Sequence, residues 1–172
     1  MKSPEKTRPQ RATNDSESSE TRKQVRIFTD GSCDTGSREG GWGYLLIYNG
    51  ARKTASGYEA DTTNNRMELS AAVNALEALH EPCEITLTTD SQYLKKAFTA
   101  GWLENWQRNG WRTASKQPVK NKDLWLRLLE LAHTHTLHWA WTKGHAGHAE
   151  NELVDKLALG ARKTRGRGTS SC

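Results

Sequence analysis

The first part of the chain alternates apolar and polar residues in the way that is typical of half-buried strands. Three such stretches follow one another: "VRIFTD", "GWGYLLIYNG" and "ARKTASGYEA". The first is predicted to end at Asp30, because the next residue, Gly31, favours a turn. The other two meet at Asn49 and Gly50, a dipeptide typical of tight hairpins. We therefore expect a three-stranded antiparallel meander.

The pattern then becomes helical. In "NNRMELSAAVNALEAL" the apolar residues recur at every third or fourth position, which predicts an amphipathic helix that buries Leu69, Ala72, Val73, Leu76 and Leu79. After it, "CEITLTTD" predicts a fourth strand that ends at Asp90. Because a helix separates this strand from the meander, we expect it to run parallel to an earlier strand.

The remaining elements complete an α/β pattern. Three further helices, "SQYLKKAF", "WLENWQ" and "KDLWLRLLELAH", precede a last strand, "TLHWAWTK". A final helix, "ENELVDKLALG", is predicted to end at Gly160. This order of elements predicts a mixed sheet flanked by helices.

Both ends of the chain differ in composition from its middle. Residues 1–24 hold almost no large apolar side chain and mix both charge signs, so we expect a disordered polar leader. Residues 161–172 are similar but more basic, and we expect a flexible tail that is either simply solvated or holds an RNA backbone loosely. The predicted globule, residues 25–160, has the size of a single domain.

The overall charge and the cysteine content narrow the class of protein. A net charge of +5 and a pI of about 9.2 favour a polyanionic partner such as nucleic acid. The cysteines, Cys33, Cys83 and Cys172, are odd in number and lack metal-type spacing, which favours a reducing compartment. No run approaches the roughly 18 apolar residues of a membrane span, and the leader lacks the apolar core of a signal peptide. We expect a cytoplasmic monomer without a membrane partner.

Four carboxylates are candidates for chemistry. Asp30 and Asp90 each end a predicted strand, and if those strands are parallel neighbours both acids lie at one edge of the sheet. Glu68 lies on the first helix next to small residues that allow a close approach to the sheet, and Asp155 lies early in the last helix. Taken singly, each acid also fits an ordinary turn or helix position.

Four carboxylates in contact repel one another unless protons or cations compensate their charge. Oxygen ligands favour hard cations such as Mg²⁺ or Mn²⁺. Two such ions, roughly 3.5 to 4 Å apart, can activate water and stabilise the leaving oxygen of a phosphodiester. Together with the basic charge, this set predicts a metal-dependent nuclease.

Over residues 25–160 the chain resembles bacterial-type, type 1 ribonuclease H, which cuts the RNA strand of RNA–DNA hybrids. The resemblance rests on stretches in a fixed order: "TDGSC", "TTNNRMEL", "TDSQYL", "GWRTASKQPVKNKDLW" and "KGHAGHAENELVD". It implies a ribonuclease H-like fold, whose five-stranded mixed sheet combines an antiparallel meander with parallel strands and carries helices on both faces. It also implies an endoribonuclease that uses Mg²⁺, with Mn²⁺ as a possible substitute, and leaves 5′-phosphate and 3′-hydroxyl ends.

The resemblance also assigns roles to single residues. Asp30 would bridge two metal ions, with Glu68 and Asp90 completing one site and Asp155 joining Asp30 at the other. His145 would assist proton transfer and product release, a task that suits its near-neutral intrinsic pKa. The alternatives for His145 are an ordinary loop residue or a zinc ligand.

Substrate contacts are also implied by the resemblance, since an A-like hybrid offers minor-groove edges and 2′-hydroxyls to polar groups beside the acids. The expected contacts at the acids are Cys33, Thr63, Asn64, Asn65 and Gln92. A basic handle, defined as residues 101–122, interleaves tryptophans with cations and matches the family's substrate-binding segment. Within it we expect Trp102 and Trp106 to pack on the globule, and the substrate contacts to be Arg108, Trp111, Arg112, Lys116 and Lys120.

The chain departs from the family pattern at two places. Gly36 stands where the family usually has an Asn, and the handle has Gln107 and Asn109 where cations are common. Weaker substrate binding with a smaller salt dependence would follow. Two other functions remain open from the sequence: a hybrid-binding module without catalysis, and a related nuclease of the integrase or resolvase kind.

Overall fold

A computed structural model describes residues 22–143 and 148–167. The strands are β1 (Lys23–Cys33), β2 (Gly40–Tyr48), β3 (Ala51–Glu59), β4 (Cys83–Thr89) and β5 (Thr136–Trp141). The helices are α1 (Asn64–Glu77), α2 (Gln92–Thr99), α3 (Trp102–Asn109), α4 (Lys122–Thr134) and α5 (Ala149–Thr164). This is the predicted order of elements. The predicted leader, apart from its last three residues, and His145 lie outside the described residues.

The five strands form one mixed sheet in the order β3-β2-β1-β4-β5. β1, β2 and β3 pair antiparallel, while β4 runs parallel to β1 and β5 runs parallel to β4. The α/β class, the meander and the parallel fourth strand are thus confirmed. β1 is the central strand, and its carboxyl end therefore lies next to the carboxyl end of β4.

The predicted end of β1 at Asp30 is wrong. The strand continues to Cys33, and Asp30 pairs with Gly43 while Cys33 pairs with Gly40. Asp30 and Gly31 form no turn, because the antiparallel ladder with β2 satisfies the backbone there. It is the parallel pairing with β4 that ends near Asp30, since its last pair is Phe28 with Thr88.

The two faces of the sheet are covered unequally. One core cluster joins Ile27 of β1 to residues of α1 through α4, including Leu69 and the fully buried Trp125. A second, smaller cluster joins Phe28 and Leu45 to Val154 of α5. Because neighbouring residues of a strand point to opposite faces, α5 covers the face opposite to the other four helices. The expectation of helices on both faces is confirmed.

The predicted end of the last helix at Gly160 is also wrong. α5 continues to Thr164 and is capped by Arg165 in the left-handed conformation. Gly160 is exposed and a Cβ there would meet nothing within 4 Å, so this glycine lowers helix propensity without blocking the helix. Packing of the buried Ala161 over Gly41 outweighs that cost. Residues 161–164 therefore belong to the helix instead of the predicted tail, and the tail's residues 168–172 lie outside the described residues.

No helix in the two described ranges has the length and apolar character that crossing a membrane requires.

Candidate active site

Two of the candidate acids come together because of strand register. Phe28 of β1 pairs with Thr88 of β4 in parallel, and the next acid lies two residues further along each chain. Asp30 and Asp90 therefore lie side by side at one edge of the sheet. Ser91 fixes the chain after Asp90, because its hydroxyl caps α2 by accepting the Leu94 N–H at 3.2 Å.

Glu68 reaches the same edge because α1 passes directly over Gly31. A Cβ at Gly31 would lie 2.4 Å from the backbone nitrogen of Glu68, so only glycine allows this approach. Glu68 is buried, and oxygens of Asp30, Glu68 and Asp90 lie within 4.8 Å of one another. The structure thus brings three of the four predicted acids into one cluster.

Asp155 borders this cluster from the other face of the sheet. α5 lies close to β2 at Gly43, where a Cβ would come within 2.7 Å of the Leu157 Cβ. Gly43 is the partner of Asp30 in the ladder, so this contact places the middle of α5, which carries Asp155, near Asp30. Asp155 lines a narrow cleft together with Asp30, Asp90 and four other residues, which are Thr29, Thr142, Asn151 and Val154.

The electrostatics of the cluster disfavour its own negative charge. Burial, and after it the charges of Asp90 and Asp155, raise the pKa of Asp30 to about 7, although the Gly31 N–H donates to its Oδ1 at 2.9 Å. Burial, followed by the charges of Asp30 and Asp90, holds the pKa of Glu68 well above its usual range. A nearby positive charge would therefore stabilise the ionised form of these carboxylates.

The donor set fits a hard divalent cation. Glu68 Oε1 accepts a long hydrogen bond from Asn64 Nδ2 at 3.5 Å, whereas Glu68 Oε2 is buried and has no hydrogen-bond partner among the described residues. A buried carboxylate oxygen without a donor is costly unless it has another ligand. Carboxylate oxygens are the ligands that Mg²⁺ and Mn²⁺ prefer, so these residues can hold such an ion.

Three polar residues of the cleft were missed by the sequence reasoning: Thr29, Thr142 and Asn151. Thr142 follows β5 directly, and its N–H donates to the Thr89 carbonyl at 3.0 Å, which places it beside Asp90. Its hydroxyl is buried without a partner in the described part of the chain. The rule that active residues follow parallel strands at one sheet edge would have found Thr142. Asn151, on α5, carries no comparable signal.

The predicted contacts near the acids lie at strand and helix ends. Thr63 caps α1 by accepting the Arg66 N–H at 3.2 Å, and Asn64 and Asn65 begin the helix with exposed side chains. Gln92 begins α2 and is also exposed. Cys33 ends β1, and burial raises the pKa of its thiol, which argues against a thiolate nucleophile.

The basic handle consists of α3 and the loop before α4. Trp106 packs against both Trp102 and the buried Trp125 with tilted rings, whose centres are 6.0 and 5.8 Å apart, so these tryptophans attach the handle to the core as expected. Trp111 is half-buried and also packs on Trp106, at 6.0 Å. The predicted contact cations are exposed, and none forms an ion pair within residues 22–143 and 148–167: Arg108, Arg112, Lys116 and Lys120.

Comparison with known proteins agrees with this geometry. The family model for RNase H matches residues 22–163. A protein named Ribonuclease H from Chelativorans sp. is 54% identical over 153 residues, covering 87% of this chain and 94% of the relative. Another from Nitrosococcus oceani is 57% identical over 137 residues, covering 80% of this chain and 92% of the relative.

A solved structure agrees at the level of the fold. The crystal structure of LC9-RNase H1, described as a type 1 RNase H with the type 2 active-site motif, superposes with a TM-score of 0.73 at 32% identity. The match covers 83% of this chain and 74% of that one. With the family model matching most of its length and relatives more than half identical, this chain belongs to the ribonuclease H family.

Proposed function

We propose that this protein is an endoribonuclease that hydrolyses the RNA strand of RNA–DNA hybrids and leaves 5′-phosphate and 3′-hydroxyl ends. The observation that carries the proposal is the cluster of Asp30, Glu68 and Asp90, whose oxygens lie within 4.8 Å at the carboxyl edge of a parallel strand pair. Because the chain belongs to the ribonuclease H family, the reaction proposed for this cluster is hydrolysis of an RNA phosphodiester.

The four acids would hold two divalent cations, Mg²⁺ with Mn²⁺ as a possible substitute. Asp30 would be shared between the two sites, Glu68 and Asp90 would complete one, and Asp155 would complete the other. When bound, such ions supply an acidified water and neutralise charge on the phosphodiester. The raised pKa values of Asp30 and Glu68 support this role, because both groups ionise more readily once a cation is present.

The side chains around the acids would bind and orient the substrate. Asn64, Asn65 and Gln92 stand at helix starts next to the cluster, where amides can donate to minor-groove base edges and accept from 2′-hydroxyls. Cys33 would act through its backbone or as a small neighbour, and Thr63 would lie near a phosphate of the DNA strand. His145 would carry a proton to or from the reacting phosphate, since its intrinsic pKa is near neutral.

The basic handle would hold the backbone of the hybrid. Its exposed cations have no acidic partner in the described part of the chain, so they remain available to phosphates. Trp111 is half-buried against Trp106 and would offer the exposed part of its ring. We place this activity in a monomer in the cytoplasm; the odd number of cysteines without metal-type spacing favours a reducing compartment.

The test is cleavage of an end-labelled RNA–DNA hybrid with Mg²⁺ and with EDTA, next to RNA duplex and DNA duplex controls. Metal-dependent loss of the hybrid's RNA strand alone is the expected result. Binding of the hybrid without cleavage under any divalent ion would instead identify a catalytically silent hybrid-binding module. Cleavage of duplex DNA would identify a nuclease of the integrase or resolvase kind.

A further inference from the structure

The second half of α5 borders a groove that the proposed reaction does not use. Together with β3 and the turn that follows α5, it encloses about 500 Å³. We call it the helix-end groove. Its polar side chains are Ser56, Tyr58, Lys156, Thr164, Arg165 and Arg167. Three of these carry a positive charge and no Asp or Glu is among the lining residues, so the groove suits an anion.

The two arginines of the groove are held in place by a closed turn. Arg165 adopts the left-handed conformation, and the Gly166 N–H donates to the Ala161 carbonyl at 2.9 Å. The Arg167 N–H donates to the Thr164 carbonyl at 3.0 Å. Gly166 lies against the ring-bearing carbon of Tyr58, where a Cβ would come within 3.1 Å. These cations therefore have a defined position and do not belong to a free tail.

One of the three groove cations, Arg165, is paired inside the described ranges, and its partner oxygen on Glu39 also accepts a hydrogen bond from the Tyr58 hydroxyl at 3.2 Å. Arg165 Nε contacts Glu39 Oε1 at 2.8 Å, and Glu39 lies outside the groove lining. Lys156 and Arg167 are exposed and form no ion pair in that part of the structure. These two cations without partners are stabilised when a polyanion binds.

The position of the groove relative to the acids favours the backbone of the hybrid as the anion. Asp155 and Arg165 belong to one helix or its cap, which places their backbones about 15 Å apart along the helix axis. The groove lies on the face of the sheet that α5 covers, opposite to the face on which the basic handle packs. A nucleic acid that reaches Asp155 can extend its backbone along α5 into the groove.

We propose that the helix-end groove binds the sugar-phosphate backbone of the hybrid beyond the cleavage site, on the side opposite to the basic handle. The inference rests on the proposed function only for the identity of the hybrid. The cations and the Ser56 hydroxyl would contact phosphate oxygens, so the contact would be independent of base sequence.

The experiment uses the double variant Arg165→Gln/Arg167→Gln of the full chain. Fluorescence anisotropy with a labelled hybrid in EDTA measures Kd at several salt concentrations. We expect roughly fivefold to tenfold weaker binding at low salt, and a slope of log Kd against log salt that is smaller by about 1 to 2. In Mg²⁺, KM should rise while kcat stays within twofold.

The matched control is Arg26→Gln/Lys53→Gln, which removes two exposed cations from the far ends of β1 and β3. It should change Kd less than twofold. If the groove variant binds with the affinity and slope of the control, the proposal is wrong. If the groove variant binds the hybrid more weakly than wild type but wild type does not cleave it, the proposed function is wrong and the proposed binding role of the groove stands. Should loss of the Arg165–Glu39 pair unfold the double variant, Arg167→Gln alone gives the same comparison.

Discussion

The Asp30 side chain is half-buried beside other acids, and its pKa of about 7 makes its ionisation unfavourable to the folded state. In the unfolded chain this group ionises near pH 4. Between those two values the unfolded state releases its proton first, so the stability of the metal-free protein falls as the pH rises from about 4 to 7. The charge that the proposed reaction needs therefore destabilises the fold.

Asp30→Asn should accordingly raise the free energy of unfolding in EDTA by about 2 kcal/mol at pH 8, and the gain should vanish below about pH 4. Urea unfolding at both pH values measures it. The exposed Glu104 supplies the control, since Glu104→Gln removes a charge from the surface of α3. If the Asp30→Asn protein is no more stable than wild type at pH 8, the ionised carboxylate of Asp30 does not destabilise the fold.

Gly31 positions the cluster by having no side chain. Gly31→Ala would drive its Cβ to 2.4 Å from the Glu68 nitrogen, so α1 must move away from β1 and take Glu68 with it. We expect a loss of about 2 to 3 kcal/mol in stability, and a fall in hybrid cleavage. Gly160→Ala is the matched control, because its Cβ would meet nothing and should stabilise α5 by about 0.5 to 1 kcal/mol. Thermal unfolding measures the stability of both variants. A Gly31→Ala protein as stable as wild type would contradict the close approach of α1 to Gly31.

At the scale of elements, one arginine ties α1 to its neighbours. Arg66 Nε donates to Glu59 of β3 at 2.8 Å, and its two terminal nitrogens donate to Asp123 of α4 at 3.1 and 2.9 Å. The Arg66 side chain is 27% exposed, and its bond to Glu59 is partly shielded from water, whereas the two bonds to Asp123 are exposed. α1, which carries Glu68, is thereby held at its first turn as well as over Gly31.

Arg66→Met should therefore cost about 1 to 2 kcal/mol. Arg127→Met is a close match, because Arg127 also pairs with two acids, Glu77 and Glu130, but its side chain is 47% exposed. We expect that control to lose less than about 0.5 kcal/mol. Arg66 holds the pKa of Asp123 below its usual value, so the difference should shrink when the pH falls below about 4. Equal losses for the two variants would argue against the role given to Arg66.

At the scale of the whole molecule, the sequence predicted the order of elements, the antiparallel meander and the parallel fourth strand. It placed Asp30 and Asp90 together only on the condition that β1 and β4 are parallel neighbours, and the small residues beside Glu68 allowed its approach to the sheet. The set of four acids as one site came from the resemblance to the family. The end of β1 could not be predicted, because the ladder with β2 overrides the turn preference of Asp30 and Gly31. The length of α5 depended on tertiary packing of Ala161, which a local pattern does not contain.

The distribution of charge over the molecule gives a further prediction. Lys116→Gln/Lys120→Gln removes two exposed cations of the basic handle and should weaken hybrid binding, with a slope of log Kd against log salt smaller by about 1 to 2. The change should be similar for hybrids of different sequence, since phosphates carry no sequence information. If the salt dependence of Kd is unchanged, these two lysines of the handle do not contact the phosphates of the hybrid.

The most direct test of the central claim is the rate of hybrid cleavage in Mg²⁺ by Asp30→Asn and Asp90→Asn, each compared with wild type and with Glu104→Gln. Both amides keep the shape of the side chain and remove the charge that would hold a cation. We expect each to lose at least about a thousandfold in rate while remaining folded, and the control to keep wild-type activity. A folded Asp30→Asn or Asp90→Asn protein that cuts the hybrid at more than half the wild-type rate would contradict the account.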